Sequence, residues 1–251
     1  MSESERWSVT FRVFRHKGDS PSRIDQWTIA VDPDEYVLDG VERIWAFHDR
    51  SLTFRHACHH STCGACGMRV NGVEKLTCIT RIRDVTHDGG TITVAPLRNF
   101  PVVSDLVVDM TPLYALMERI GFEQVARAAD TLAPGERALD SDGEILRLVD
   151  CIECGLCLSA CPIAVTDPGY AGPAVLAAIQ HGKLNGNDSR AIGDSHEGVW
   201  RCHSAFECSA VCPAFVDPAG RIMDLRKHLV AARLKGGFRA RRRPSDDLAP
   251  T

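Results

Sequence analysis

Cysteine is the residue type through which this chain could do chemistry. Eleven cysteines in 251 residues fall into three runs. The first is Cys58-x4-Cys63-x2-Cys66, completed by Cys78 after eleven intervening residues. A tight loop supplying three thiolates with a distant fourth is the plant-type [2Fe–2S] spacing. Gly64 and Gly67 let the backbone pass close to such a centre, where N–H groups can hydrogen-bond sulfur and tune its potential. Zinc is the competing occupant, but it favours paired C-x2-C units, which the four-residue gap does not supply.

The second run, Cys151-x2-Cys154-x2-Cys157-x3-Cys161-Pro162, has the bacterial ferredoxin spacing. Its fourth cysteine serves the other cluster in two-cluster proteins, and Pro162 fits the first position of a following helix. The third run repeats the second at an offset of 51 residues. Cys151 maps to Cys202, Cys157 to Cys208, Cys161 to Cys212 and Pro162 to Pro213, but Cys154 maps to Ala205. By crossed ligation, Cys151, Cys154, Cys157 and Cys212 hold a [4Fe–4S] cluster. Cys161, Cys202 and Cys208 hold a site whose fourth corner has no thiolate, and a methyl group cannot bind iron. A [3Fe–4S] cluster is the expected occupant. A labile [4Fe–4S] cluster with water or hydroxide at the open corner is the alternative. The 4/4/3 grouping uses every thiol, leaving none for a nucleophile or a disulfide. The His59-His60 pair offers Rieske-like ligands, but four cysteines already satisfy both irons of that centre.

The elements that must carry these runs read as two units. Trp7, Val9, Phe11 and Val13 alternate with polar residues, which is strand periodicity. A turn at Lys17 to Pro21 and a second alternation at Trp27, Ile29 and Val31 complete a hairpin. Val37, Leu38, Val41, Ile44 and Trp45 follow at helical spacing after Asp32-Pro33-Asp34. Short strand-like pieces surround the first cysteine loop, and Thr91 to Val94 is a further strand. This order is that of a β-grasp ferredoxin. Beyond Pro96, Val102 to Gly121 and Phe122 to Asp130 read as helices, broken at Ala133-Pro134-Gly135. Ala174 to Gln180 reads as a helix, Leu184 to Gly198 as a polar loop, and Ile222, Leu225, Leu229 and Val230 mark a last amphipathic helix. The expected class is α+β: a β-grasp [2Fe–2S] domain over 1–105, an all-α bacterial-type ferredoxin domain over 106–235, and a basic tail over 236–251.

Composition narrows the partners. A hydrophobic fraction of 44% and a charged fraction of 25% exclude disorder and fibre. No apolar stretch approaches the ~18 residues of a membrane span. Met1-Ser2-Glu3-Ser4-Glu5 lacks the features of a secretory leader, so the expected compartment is the cytoplasm unless a partner carries the chain elsewhere. Disulfides are disfavoured there, which again assigns the thiols to metal. Net charge is −4, yet Arg221 to Arg243 carries nine basic residues against Asp224 alone. Such a stretch can meet an anionic membrane surface or an acidic protein. It can also be a solvated helix face. No recognition fold accompanies it, so nucleic acid is not expected. Nucleotide loops, triads and paired catalytic carboxylates are absent from the sequence, and no residue is assigned as catalytic.

With these runs in this order, the chain resembles the iron–sulfur subunit family of succinate dehydrogenase and fumarate reductase. Cys151-Ile152-Glu153-Cys154-Gly155, Gly198-Val199-Trp200-Arg201-Cys202 and Asp105-Leu106-Val107-Val108-Asp109 support the likeness, which covers nearly the whole chain. The resemblance implies a flavoprotein subunit with covalent FAD that interconverts succinate and fumarate. It implies electron flow through the [2Fe–2S], [4Fe–4S] and [3Fe–4S] centres to quinone, beside membrane anchor subunits that often carry haem b. Peripheral attachment on the cytoplasmic side of the membrane follows. His203 matches a position near the quinone head group, and Pro162 falls in the same vicinity; a histidine there could donate a hydrogen bond or relay a proton. Ser61 stands where the family often has Gly. The tryptophan pair of ubiquinone-reducing members is replaced by Ile163-Ala164-Val165-Thr166, which points to menaquinone. The same wire serves fumarate reduction, and another flavoprotein oxidoreductase is an alternative host, although such relatives usually carry two complete cubane runs.

Overall fold

The computed structural model describes residues 6–121, 151–184 and 187–240, with side chains described through 184 and over 188–235. Strands β1 (Trp7–Arg15) and β2 (Arg23–Val31) form the expected hairpin, pairing Trp7 with Val31 and Arg15 with Arg23. β3 (Gly67–Val70), β4 (Val73–Leu76) and β5 (Thr91–Ala95) complete a five-stranded sheet of order β2-β1-β5-β3-β4. β1 runs parallel to β5, and the other neighbours are antiparallel. Helix α1 (Val37–Phe47) lies over this sheet. Its Val37, Val41 and Ile44 are buried with Val9, Phe11 and Val13, the inward residues of the first alternation, and with Ile92 and Val94 of β5. A chain of this sheet order with one helix laid across it is a β-grasp unit.

The expected helix over Val102 to Gly121 is corrected by the structure. β6 (Val102–Ser104) and β7 (Val107–Val108) form a small hairpin, and only then does α2 (Thr111–Arg119) begin, with a proline in its first turn. Asp105 explains the difference. It is fully buried, with φ of 46°, and its carboxylate accepts hydrogen bonds from the backbone N–H groups of His16 and Thr53. Arg15 Nε donates to it at 3.1 Å and Lys17 Nζ lies at 3.2 Å. These partners come from the end of β1, the segment just after it and the loop after α1, so local periodicity could not reveal a turn imposed from outside.

The remaining described helices are α3 (Leu156–Ala160), α4 (Pro162–Thr166), α5 (Pro173–His181), α6 (Asn187–Gly193), α7 (Glu207–Ala210) and α8 (Pro218–Ala240). α6 lies inside the stretch expected to be a polar loop, with Ser189 buried and Ile192 against the core. α5 is buried all round from Val175 to Ile179, as the central helix of this unit must be. α8 lays Ile222, Leu225 and Leu229 into the same core, while Val230 is exposed. The expected helix Phe122 to Asp130 and its break lie outside the described residues. α8 runs five residues past 235, into the segment read as a tail.

The two units share a core. Leu38, Leu76, Leu97 and Phe100 from the first half join Met110, Leu156, Val175 and Leu176 in one buried cluster. Polar groups reinforce the junction. Buried Glu74 on β4 accepts from Ser159 Oγ at 2.8 Å and from Arg98 at 3.2 Å, and the Arg98 backbone N–H donates to Ser159 Oγ. Asn99 Nδ2 donates to the Leu158 carbonyl at 2.8 Å.

Candidate functional site

All eleven cysteines are free thiols and lie among the described residues. The first group is built by the loop between α1 and β3 together with the turn after β4. Cys66 and Cys78 are buried, Cys58 is half-buried and Cys63 exposed. The backbone N–H groups of His60 and Thr62 point at Cys58 Sγ from 3.5 and 3.3 Å. Burial pushes the Cys58 thiol up, but hydrogen bonds from Thr62, His60 and Cys63 outweigh it and bring it down to about 5. The Cys66 thiol is brought down to about 6, first by a hydrogen bond from Cys78, which is pushed up in turn. Cys58 and Cys66 are therefore held toward the thiolate, while Cys78 keeps its proton and donates it. Ser61 takes φ of 61°, the left-handed backbone that glycine adopts without strain.

The second group gathers Cys151, Cys154, Cys157 and, from 51 residues beyond Cys161, Cys212, around one cavity that Ala174 and Ala177 of α5 also line. Burial raises the Cys154 thiol to about 12, with negative charge at Cys151 and Cys212 adding to it. Cys157 is raised well above its ordinary value by burial and then by Cys154, Cys151 and Cys212. The backbone N–H of Val216 points at Cys212 Sγ from 3.4 Å.

The third group is Cys161, Cys202 and Cys208. Burial raises Cys161, with Cys202 as its charged neighbour, and raises Cys208 to about 12, with Cys161 and Cys202 adding. The crossing read from the spacing is thus present in space: Cys212 sits with the 151–157 thiols and Cys161 with Cys202 and Cys208. The buried Tyr170 hydroxyl has no geometrically sound hydrogen bond among the described residues and faces Cys202, Cys161 and Cys208. Sequence reading missed Tyr170; a lone tyrosine in a turn carries no spacing signal. Ala205 and His203 are exposed, as is Pro162 at the start of α4.

These residues fit iron–sulfur centres. Buried thiols that repel one another as thiolates need a cationic core among them, and backbone N–H groups aimed at sulfur are the donors such cores recruit. An orphaned tyrosine hydroxyl beside three thiols is a further donor. The first and second groups also approach closely. Gly64 has φ of 71°, and a Cβ there would meet the Cys154 Cβ and the Ile152 carbonyl at 2.9 Å. Only glycine allows the two loops to touch.

Three of the nine basic residues that could meet a membrane, Arg221, Arg226 and Arg233, are engaged within the chain. Arg226 donates to the carbonyls of Val199 and Cys202, Arg221 to Val216 O and Gln180, and Arg233 pairs with Asp194 over the Trp200 ring. Among the described residues no helix is long and apolar enough to cross a membrane.

Comparison with known proteins agrees with this architecture. Residues 10–115 match a family described as a 2Fe-2S iron-sulfur cluster binding domain, and residues 147–216 one described as a 4Fe-4S dicluster domain. The fold and its thiol groups define a multi-centre iron–sulfur electron-transfer protein. The fumarate reductase iron-sulfur subunit of Mycobacterium tuberculosis is 34% identical, over 87% of this chain and 90% of its own. That of Escherichia coli O6:H1 is 33% identical, over 88% and 92%. The mitochondrial succinate dehydrogenase [ubiquinone] iron-sulfur subunit of Candida glabrata is 28% identical, over 88% and 90%. A chain of the Mycobacterium smegmatis Sdh1 complex shares the fold, with a TM-score of 0.74 over 92% of this chain at 24% identity. The chain belongs to the iron–sulfur subunit family of succinate dehydrogenase and fumarate reductase.

Proposed function

We propose that this subunit carries electrons between the FAD of a flavoprotein subunit and a membrane quinone, menaquinone, in a succinate dehydrogenase. The same path serves the fumarate-reducing direction. Its ligands are Cys58, Cys63, Cys66 and Cys78 for [2Fe–2S], Cys151, Cys154, Cys157 and Cys212 for [4Fe–4S], and Cys161, Cys202 and Cys208 for [3Fe–4S]. The clusters supply one-electron relay sites; the protein's own residues fix their spacing and surroundings. Gly64 sets the approach of the first loop to the second, and Glu74, Ser159 and Arg98 lock the two units across that contact. Tyr170 and the N–H groups at Cys58 and Cys212 supply hydrogen bonds to sulfur.

The division into 1–105, 106–235 and a basic tail from 236 places the β6–β7 hairpin at the join. The third group faces outward: His203, Ala205 and Phe206 are exposed around it, and Val165 lies exposed on α4. That face suits the quinone, with His203 and Pro162 nearby, and membrane anchor subunits that carry any haem b. Attachment is then peripheral, on the cytoplasmic side. The absent thiol at Ala205 favours this host over another flavoprotein oxidoreductase.

The observation that carries the reading is the spatial 4/4/3 grouping with Cys161 and Cys212 exchanged. Metal analysis of the purified complex tests it. About nine irons per chain are expected in these centres, with low-temperature EPR resolving three spin systems. Stoichiometric zinc in place of iron would overturn it.

A further inference from the structure

Beside the first cysteine loop, three side chains outside every thiol group converge on one point. Glu42 Oε1, on α1, lies 3.0 Å from His56 Nδ1 and 3.3 Å from His59 Nε2. The two nitrogens are 3.1 Å apart. These three distances describe a nearly equilateral triangle of donor atoms. Zinc–nitrogen and zinc–carboxylate bonds are about 2.0–2.1 Å, so one face of a zinc tetrahedron has edges of about 3.3 Å and one face of an octahedron about 2.9 Å. The observed edges span that interval. We propose that Glu42, His56 and His59 form a binding site for a divalent transition-metal ion of the zinc class, held facially with open positions toward solvent.

The arrangement of donor atoms favours a cation at this point. The two ring nitrogens face each other at 3.1 Å and both face the same carboxylate oxygen. Glu42 Oε1 is shielded from solvent and has no hydrogen-bond donor of sound geometry among the described residues, although both rings are near it. A buried carboxylate oxygen left in this way is unfavourable. One cation at the centre of the triangle satisfies the oxygen and both nitrogens at once. Two imidazoles and a carboxylate with further positions open is a donor set that zinc and its neighbours accept.

The rings are held for the purpose. Phe54 stacks on His56 with centroids 5.2 Å apart and planes at 21°. Trp45, one turn beyond Glu42 on α1, packs edge-on against Phe54 at 6.4 Å. Arg50 in turn covers Trp45 at 4.2 Å. His59 reaches the triangle because its backbone is left-handed, with φ of 57°. Cys58 lies between the two histidines, so the ion would fasten the cysteine loop to α1. His59 thus faces Glu42 and His56 and takes no part in a Rieske-like arrangement.

The test uses the full-length protein with its iron–sulfur centres in place, dialysed against zinc and then against zinc-free buffer. The expected result is one retained zinc per chain beyond the iron. X-ray absorption at the zinc edge should show only nitrogen and oxygen neighbours near 2.0–2.1 Å, without the sulfur shell near 2.3 Å that zinc in a cysteine site gives. Glu42→Gln and His59→Ala should each weaken zinc binding at least about tenfold, the low end for disturbing a metal's surroundings. His60→Ala should leave it unchanged. The reduced [2Fe–2S] EPR signal serves as the folding control; because Glu42 lies on the helix, Glu42→Gln decides the matter if His59→Ala disturbs the loop. Absence of retained zinc, a zinc–sulfur shell, or full retention in Glu42→Gln would each overturn the site.

Discussion

The two ferredoxin-type runs follow the same backbone path and meet different surroundings. Glu153 and Ser204, equivalent at the offset of 51, are both left-handed, with φ of 51° and 58°. Two residues on, Gly155 and Phe206 repeat the turn with φ of 77° and 65°. Short helices α3 and α7 then follow. In the first run Leu156 and Ser159 are buried against the β-grasp unit, and a Cβ at Gly155 would lie 2.8 Å from Met110. In the second, Ala205, Phe206 and Glu207 are exposed, and Ala210 occupies the place of Ser159. The repeat supplies a common loop for holding sulfur. Its inner copy has been fitted to a neighbour within the chain, and its outer copy has kept strain and an open face where a partner would sit.

The sharpest way to break this comparison is to make the outer run complete. Ala205→Cys gives it a thiol at the position that Cys154 holds in the inner run, and a [4Fe–4S] cluster is then expected in place of the proposed [3Fe–4S]. A fall in potential of about 0.2 V corresponds to about 5 kcal/mol for one electron. Quinone reduction should slow while dye reduction at the earlier centres survives. Potentiometric EPR checks this, and an undiminished oxidised three-iron signal with the new thiol unligated would count against the assignment of that corner.

Next in size is the contact present only in the inner run. Ser159→Ala copies the outer sequence and removes the hydroxyl shared by buried Glu74 and the Arg98 N–H. The expected loss is about 1–3 kcal/mol, the cost of leaving such groups unsatisfied, read by chemical unfolding of the holoprotein. Ala210→Ser in the exposed run should change stability by less than about 0.5 kcal/mol. Equal effects at the two positions would erase the distinction between them.

The turn residues should then respond with opposite signs. Phe206→Gly relieves a left-handed backbone at a side chain that is 49% exposed, so it should stabilise by up to about 1 kcal/mol. Gly155→Ala should destabilise by at least that amount, because it adds a clash to the strain. Thermal unfolding of the two variants settles the order.

The smallest effect lies outside both runs and sets a baseline for acid sensitivity. Asp49 is held down to about 2 by the Ser51 hydroxyl and Arg15, against burial, which pushes it up. A carboxylate depressed in the folded state contributes fully above its unfolded value near 3.9 and loses that contribution as pH falls through about 2. Its side chain is 26% exposed, so the effect is modest. Wild type should exceed Asp49→Asn in unfolding midpoint at pH 5, with the gap closing steadily toward pH 2. A gap that widens on acidification would contradict the assignment.

The sequence by itself determined the thiol inventory, the repeat and its one missing thiol, because the spacing of cysteines within a loop is a local property of the chain. It also determined the first hairpin, α1, the helical character of α5, and the buried face of α8 at Ile222, Leu225 and Leu229, though not at Val230, which is exposed. Contacts between distant segments were decided by the tertiary structure. The turn at Asp105 exists because Arg15 and the backbone at Thr53 reach it, and it replaced an expected helix with a hairpin. Ser189 and Ile192 found burial in a stretch too polar to announce a helix. Tyr170 gained its place beside three thiols, and Glu42 its place beside two histidines, through packing that no spacing encodes. Local chemistry is written in intervals along the chain; a polar side chain's partners are set by which surfaces close upon it when the two units share a core.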